Sequence, residues 1–363
     1  MVSIRPAPYR PAAFPDTCLG MRLPCFSLPA RALALFSAAS TALALAACGG
    51  SGSSTSAATT ASTTDGAGAG GSTGSASGGN GGEGGTLPPA QPLKIMDWNT
   101  HDYFDSSDNP ATDDTVLTKA NYTKKRDTIG AQIKAMNADL VMLAEVENQA
   151  ILDDMNAADL GGKYTTRVLI QGNDERGINV GFLSTIAPDM VVSHKDDEFT
   201  LPPSNLMYKY SRDCLEVHLT FNGRHVVLLG VHFKAKTPPD DPDKRLAESL
   251  HTRAIADALV AADPSLAVLV LGDYNDTPDS TTIAGMVGKA PVLFVDSASF
   301  GAGTPYSYVY EGMNQLIDHQ FANPRMAGLL DQTSVIISHG PGIDDDNKYS
   351  SDHAPVTATY MVH

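Results

Sequence analysis

The stretch Val268 to Asp279, VLVLGDYNDTPD, constrains this chain more than any other. Four apolar residues of strand character run into Gly272, and Asp273, Asn275 and Asp276 then arrive at a turn containing Pro278. A strand this apolar needs both faces covered, which places it inside a layered domain. Asp273 and Asn275 cannot be buried unpaired without a cost of roughly several kcal/mol, so they belong at the rim of a cleft. Gly272 lets the backbone bend or approach a neighbour closely just before them. Taken alone, the same residues also describe a simple Asx-type turn.

The rest of the chain divides by composition. Residues 1–48 read as a targeting sequence: arginines, then an apolar run from Ala32 to Ala47, ending in Leu45-Ala46-Ala47-Cys48. The run is short for a membrane span and ends in small residues. Residues 49–90 are Gly, Ser, Thr and Ala with almost no large apolar side chains, the composition of a flexible tether. From residue 91 to 363 the sequence is globular, and Cys214 is its one cysteine, so the domain must be held by its core. Residues 1–90 hold four arginines and three acids, which leaves 21 basic and 38 acidic residues and a formal charge of −17 for the remainder. That excess argues against sequence-blind binding of nucleic acid through a broad basic face, but not against an enzyme that meets phosphate with a cation.

Strand-like runs at Leu93–Trp98, Leu140–Val146, Ile178–Leu183, Leu215–Phe221, Val226–Phe233 and Ala354–Val362 alternate with helical patterns. One helix fits Arg245–Ala262, with Leu246, Leu250, Ile255 and Leu259 near one stripe. Several strands end alike. Asn99 closes LKIMDWN; Glu145 follows Val141 and Leu143 on the same alternating face; His232 closes VVLLGVH; Asp318 lies in LIDHQF; Asp352 and His353 precede the last strand. Each end alone is explained by a solvated strand terminus. Together they hold Asn, Glu, Asp and His but no Ser or Cys nucleophile. Carboxylates and amides are hard oxygen donors suited to Mg2+, Mn2+ or Ca2+. The histidines lack the spacing of a zinc site.

The stretches DWNTHDYFDSSD, NADLVMLAEVEN, ERGINVGFLS, SRDCLEVHL, GVHFKAK, LGDYNDTPDS, LIDHQF and SSDHAPV, in that order, resemble the endonuclease/exonuclease/phosphatase superfamily. That resemblance implies an α/β four-layer sandwich, two mixed sheets face to face with helices outside and the site at one rim. It implies Glu145 as principal metal ligand with Asn99 and Asp352 beside it, and Mg2+ as the cofactor, with Mn2+ or Ca2+ as alternatives. Asp273 and Asn275 correspond to the pair that activates water, and His232 and His353 to the histidines at the scissile phosphate, with Asp318 fixing the ring of His353. Arg176 corresponds to a phosphate contact, and Arg212 more loosely so. Leu-Ala-Ala-Cys-Gly similarly resembles a bacterial lipobox, which would make Cys48 the lipidated first residue of the mature protein. Gly49, where an aspartate would favour the inner membrane, points to the outer one.

The expectation is therefore a monomeric, lipid-anchored phosphodiesterase of the cell envelope, most simply a nuclease, using direct attack by water. Alternatives are the same chemistry on a phospholipid head group or small nucleotide, or a non-catalytic surface binder on the same scaffold. No hydrophobic hairpin for entering a membrane stands out in the sequence.

Overall fold

The computed structural model describes residues 88–290, 292–340 and 349–363. The expected signal segment with Cys48, nearly all of the expected tether, and the acidic run Asp344–Asp346 lie outside the described residues. The first half of the domain comprises β1 (Gln91–Tyr103), α1 (Lys119–Met136), β2 (Leu140–Val146), α2 (Gln149–Ala158), β3 (Thr166–Leu169) and β4 (Asn179–Ser184). Next come β5 (Met190–Ser193), β6 (Phe199–Leu201), β7 (Leu206–Tyr208), β8 (Cys214–Phe221), β9 (Arg224–His232) and α3 (Pro242–Ala262). Then follow β10 (Ala267–Asp273), α4 (Thr281–Val287), β11 (Val295–Asp296), β12 (Tyr308–Tyr310), β13 (Met313–Gln315), β14 (Asp318–Ala322), α5 (Pro324–Ala327), β15 (Leu330–Ile337) and β16 (Val356–Val362).

Two six-stranded sheets result, ordered β15-β16-β1-β2-β4-β3 and β11-β14-β10-β9-β8-β5. They share one plan. β1 pairs in parallel with β2 and antiparallel with β16, and β10 pairs in parallel with β9 and antiparallel with β14. The parallel pairs need long crossovers, which α1 and α3 supply. Local signals set the helix starts: Thr118, Asn148, Asp241 and Ser280 each cap a helix by accepting a backbone N–H, and Pro242 stands in the first turn of α3.

Alternation along the strands then divides the core. Leu93, Ile95, Leu140 and Met142 face Leu215, Val217, Leu228, Leu269 and Leu271 between the sheets. Met96, Trp98, Val141 and Leu143 face outward onto Ile129 and Ile133 of α1 and Ile151 and Met155 of α2. Val227, Leu229, Val268 and Val270 do the same toward Ala247, Ala256, Ile283 and Met286. This is the four-layer sandwich expected from the resemblance. At its centre the sheets approach so closely that a Cβ on Gly230 would overlap the Met142 side chain.

One helix keeps its expected face in part, with Leu246, Ile255 and Leu259 packed against the core. On α3, Leu250 is 41% exposed, and the buried set includes Arg245, Glu248, Ser249, Thr252 and Arg253. Each of these polar groups has a defined partner. Glu248 accepts the N–H groups of Ser211 and Lys234 at 2.6 and 2.7 Å, and Arg253 donates to the carbonyls of Met286, Val287 and Val292. The helix fixes loops as much as it covers a sheet, which an apolar stripe does not reveal.

Candidate active site

The inner faces of the central strands become polar at one end. Along β1 the inward positions run Leu93, Ile95, Asp97, Asn99; along β10 they run Leu269, Leu271, Asp273. Asp273, Asn99 and His232 are buried where the two sheets end together. Gly272 prepares this point: its φ is +132°, and a Cβ there would run into the Val231 carbonyl oxygen of the neighbouring strand.

Glu145 reaches the same place by a different route. Simple alternation would send it outward with Val141 and Leu143, toward α2. Instead the β1–β2 and β2–β4 registers both slip beside it, and Glu145 takes φ +64°. Such an irregularity re-aims a side chain, here into the cleft. His101, Asp102 and Asn275 also have φ near +50°, so four non-glycine residues at the rim hold a backbone conformation costing roughly 1–3 kcal/mol each. Lys125 on α1, fully buried, pins the loop by donating to the carbonyls of His101 and Ser350 at 2.6 and 2.7 Å.

Asn99, Glu145, Arg176, His232, Asp273, Asn275, Asp352 and His353 line one cleft of about 540 Å³. Asp318 stands behind it, with Oδ2 at 2.7 Å from His353 Nδ1. Asp273 Oδ2 is the meeting point: it accepts from Asn99 Nδ2 at 2.9 Å and Asn275 Nδ2 at 3.3 Å. It also lies 3.5 Å from His232 Nε2 and 4.0 Å from His353 Nε2. Asn99 in addition donates to Glu145 Oε1 at 3.2 Å, while its own oxygen accepts from His101 N–H. In this arrangement Asn99 bridges two carboxylates and orients them. Arg176 pairs with Asp102 and Asp174 at 3.0 and 3.2 Å, facing the cleft across them.

Electrostatics separate these groups. Burial, and then the charge of Asp318, push the Asp273 carboxyl up to about 7. Burial opposes the imidazolium of His353, but the charge and hydrogen bond of Asp318, with Asp273, outweigh it and push the ring up to about 10. His232 goes the other way: burial, then Arg212, hold it well below its usual value. Burial also opposes the Glu145 carboxylate, yet His232, the Asp102 N–H and the Arg212 and Arg176 guanidiniums outweigh it and hold it well below the usual range. With His232 neutral at pH 7, the arginines and the N–H carry that effect. One carboxylate is thus a permanent anion, one titrates near neutrality, and the two imidazoles differ in charge.

These residues suit a hard divalent cation. Glu145 and Asp352 offer anionic oxygens to the cleft, and Asp352 is held ionised by His101 at 2.8 Å, and by His353, against the effect of its burial. Asp273, Asp318 and His353 are a second grouping, with donor atoms all within 4.8 Å of one another. There the short Nδ1–Oδ2 contact is that of a hydrogen-bonded acid–imidazole pair.

Sequence reasoning passed over His101, Asp102, Lys236, Tyr308, Tyr310 and Gln315, all of which line the cleft. His101 and Asp102 stand two and three residues after Asn99, a signal that was available. Tyr308 and Tyr310 lie in YSYVYEG, where alternating tyrosines before a glycine are a strand-and-turn signal that was also available.

Comparison with known proteins follows the same lines. The chain has similar fold to an endonuclease/exonuclease/phosphatase family protein from Bacteroides thetaiotaomicron (14% identity, TM-score 0.51, covering 76% of this chain and 99% of that one). TDP2 from C. elegans (17%, 0.50, 75% of each chain) is similar too, as is beta toxin 275-280 from Staphylococcus aureus (16%, 0.50, 73% and 99%). At such identities the likeness is one of fold. No curated protein matches the chain. A family model, however, matches residues 94–293, more than half of the sequence, and its span includes Asn99, Glu145, His232, Asp273 and Asn275. The geometry attaches Asp318, Asp352 and His353, which lie beyond that span, to the same cleft. With sheet plan, strand-end residues and family model in agreement, this chain belongs to the endonuclease/exonuclease/phosphatase family.

Proposed function

We propose that this protein is a divalent-metal-dependent phosphodiester hydrolase that cleaves nucleic acid at the cell envelope. The observation that carries the reading is Asp273 standing between two imidazoles of unlike charge, beside the ionised Glu145. Glu145 and Asp352 would hold the cation, oriented by Asn99, and the cation would shield phosphate charge. Above about pH 7 Asp273 is a carboxylate able to take a proton from water aligned with it. Asn275, tied to Phe233 O at 3.1 Å, steadies that oxygen from the side. The His353 imidazolium points Nε2–H into the cleft as a donor for the phosphate or the leaving oxygen, with Asp318 fixing the ring. Neutral His232 offers a second donor. Among the described residues that line the cleft there is no serine or cysteine, and Asp273 and the two imidazoles are given to proton transfer and phosphate contact, so water attacks directly and no phosphoenzyme forms.

Arg176 and Lys236 favour a polyanionic substrate, since both stand in the cleft of an otherwise acidic chain and could exchange their partners Asp102, Asp174 and Asp276 for phosphate. Envelope location by a lipid on Cys48, at the outer membrane, rests on the sequence pattern of residues 1–49 alone. A second reading, hydrolysis of a phospholipid head group, is favoured by a hairpin that the sequence did not advertise: Leu206 and Met207 on β6–β7 are both more than half exposed.

The test offers the purified full-length protein plasmid DNA, RNA, bis(p-nitrophenyl) phosphate and sphingomyelin vesicles, with Mg2+, Mn2+, Ca2+ or chelator. Cleavage of nucleic acid that needs the metal and disappears in Asp273→Ala and Glu145→Ala is the expected result. Activity surviving either substitution removes the site assignment, and turnover of the lipid alone promotes the second reading. Loss of lipid labelling in Cys48→Ser cells tests the anchor.

A further inference from the structure

The lining of the cleft is of two kinds, and the geometry points to the β12–β13 hairpin as a stacking platform that reads a nucleobase next to the scissile phosphate, with Tyr310 as its specificity-determining contact. This rests on the nuclease reading of the same site and names what that site selects. Part of the lining is cationic: Arg176, paired with Asp102 and Asp174, and Lys236, paired with Asp276 at 2.7 Å, are suited to meet phosphate. Another part is the β12–β13 hairpin, with Tyr308, Tyr310 and Gln315.

The hairpin register explains why these side chains lie together. Tyr308 lies opposite Gln315 and Tyr310 opposite Met313, and positions two apart on a strand face the same way. One face of the hairpin therefore presents two phenol rings, an amide and a thioether, three of the four lining the cleft. The platform is tied to the catalytic groups. Buried Ser307 accepts the N–H groups of Ile317 and Asp318 on its Oγ at 3.2 and 3.0 Å, and its carbonyl accepts Ala354 N–H at 2.7 Å. Tyr308 forms a bridge to His353, and the two rings lie 4.7 Å apart at 34°. Tyr310 stands one strand repeat farther out, roughly 6.5 Å along, and is 50% exposed. A planar group bound through its adjacent phosphate at His353 would reach that ring.

The hairpin's composition distinguishes this role from insertion into a membrane. Glu311 and Asn314 flank Gly312 and Met313 at the tip and are exposed, so a charge would enter the lipid with the methionine. The aromatic side chains face the cleft rather than the tip.

The experiment compares two fluorescent single-stranded oligonucleotides with the full-length protein and Mg2+: one with ordinary bases, one with tetrahydrofuran abasic residues on both sides of the central linkage. The expected wild-type preference for the base-bearing strand is about 5- to 100-fold in kcat/KM, residing in KM. Tyr310→Phe keeps that preference, and Tyr310→Ala brings the ratio to within about twofold of unity. A ratio is insensitive to partial misfolding, which lowers both rates alike. Equal cleavage of the two strands by the wild type, or an undiminished ratio in Tyr310→Ala, overturns the inference and leaves the nuclease reading standing. Turnover of sphingomyelin vesicles with neither oligonucleotide cut overturns both.

Discussion

Replacing Asp318 by Asn is the most informative single perturbation of the site. The interval between the ordinary 6.5 of histidine and about 10 for His353 corresponds to about 5 kcal/mol of preference for the imidazolium. At pH 7 the ring is then protonated by about a thousand to one. Asp318 supplies the largest contribution favouring the charge, and burial opposes it. Without that carboxylate the ring keeps only the charges of Asp273 and Asp352 against the effect of burial, so its pKa falls and the protonated share at pH 7 drops. A lost proton donor lowers turnover about 10²- to 10⁴-fold. Asp318 also raises the Asp273 carboxyl, second only to burial, so its removal lowers that value as well. The wild-type profile of kcat/KM should rise through about 7 as Asp273 ionises and fall through about 10 as His353 loses its proton. In Asp318→Asn both limbs move to lower pH. The profile is read with bis(p-nitrophenyl) phosphate at saturating Mg2+, and the ring of His353 is titrated directly by NMR without metal. A wild-type His353 that titrates below 7, or limbs that stay in place in the variant, would falsify this account of the pair.

Other outcomes follow from single features. Glu145→Gln keeps shape but removes the permanent anion, and Mg2+ affinity by calorimetry should weaken at least about tenfold; an unchanged isotherm takes Glu145 out of the cation site. Gly272→Ala places a Cβ against the Val231 carbonyl at φ +132°, and denaturant midpoints should show a loss of about 2–4 kcal/mol. A loss under about 0.5 kcal/mol would mean the strands part easily there. Away from the cleft, His194 lies 3.0 Å from both Asp197 and Glu216. Burial opposes its charge, but those two hydrogen bonds raise it above 6.5, so its stabilisation is whole below 6.5 and fades as pH climbs through the raised value. Asp197 and Glu216 are lowered, by hydrogen bonds from His251 and His194 and from His194 and His218 that outweigh burial. Their stabilisation is whole above 3.8 and 4.5 and fades as pH drops through the lowered values. The contribution to thermal stability should therefore be greatest between 4.5 and 6.5, and Glu216→Gln should flatten it.

Much of the site was readable because strand ends write themselves plainly. An apolar alternation that closes on Asn99, His232 or Asp273 specifies both the face and the edge, and the sandwich then brings those edges together. What escaped had physical causes. Glu145 points into the cleft only because a bulge overrides alternation, and nothing in AEVEN signals φ +64°. The buried face of α3 is polar because its partners are loop N–H and carbonyl groups far away in sequence, such as Ser211 and Met286. Tyr308 and Tyr310 alternate along one short strand, but their place in the cleft comes from the bridge to His353, a contact distant in sequence.

The shared plan of the sheets bears on how this domain could be rewired. The segment from β5 to β14 supplies all of one sheet, together with the β6–β7 and β12–β13 hairpins, and is inserted into the chain of the other sheet, whose last strand returns to pair with its first. Gln91 and Val362 already sit opposite one another in that ladder. Joined there and opened ahead of Met190, the permuted polypeptide would encode two successive halves. One would carry Asn99, Glu145, Asp352 and His353, the other His232, Asp273, Asn275 and Asp318, so producing them as separate chains would part the His353–Asp318 couple. Neither fragment could turn over substrate, and restored activity on mixing would report reassembly of the halves.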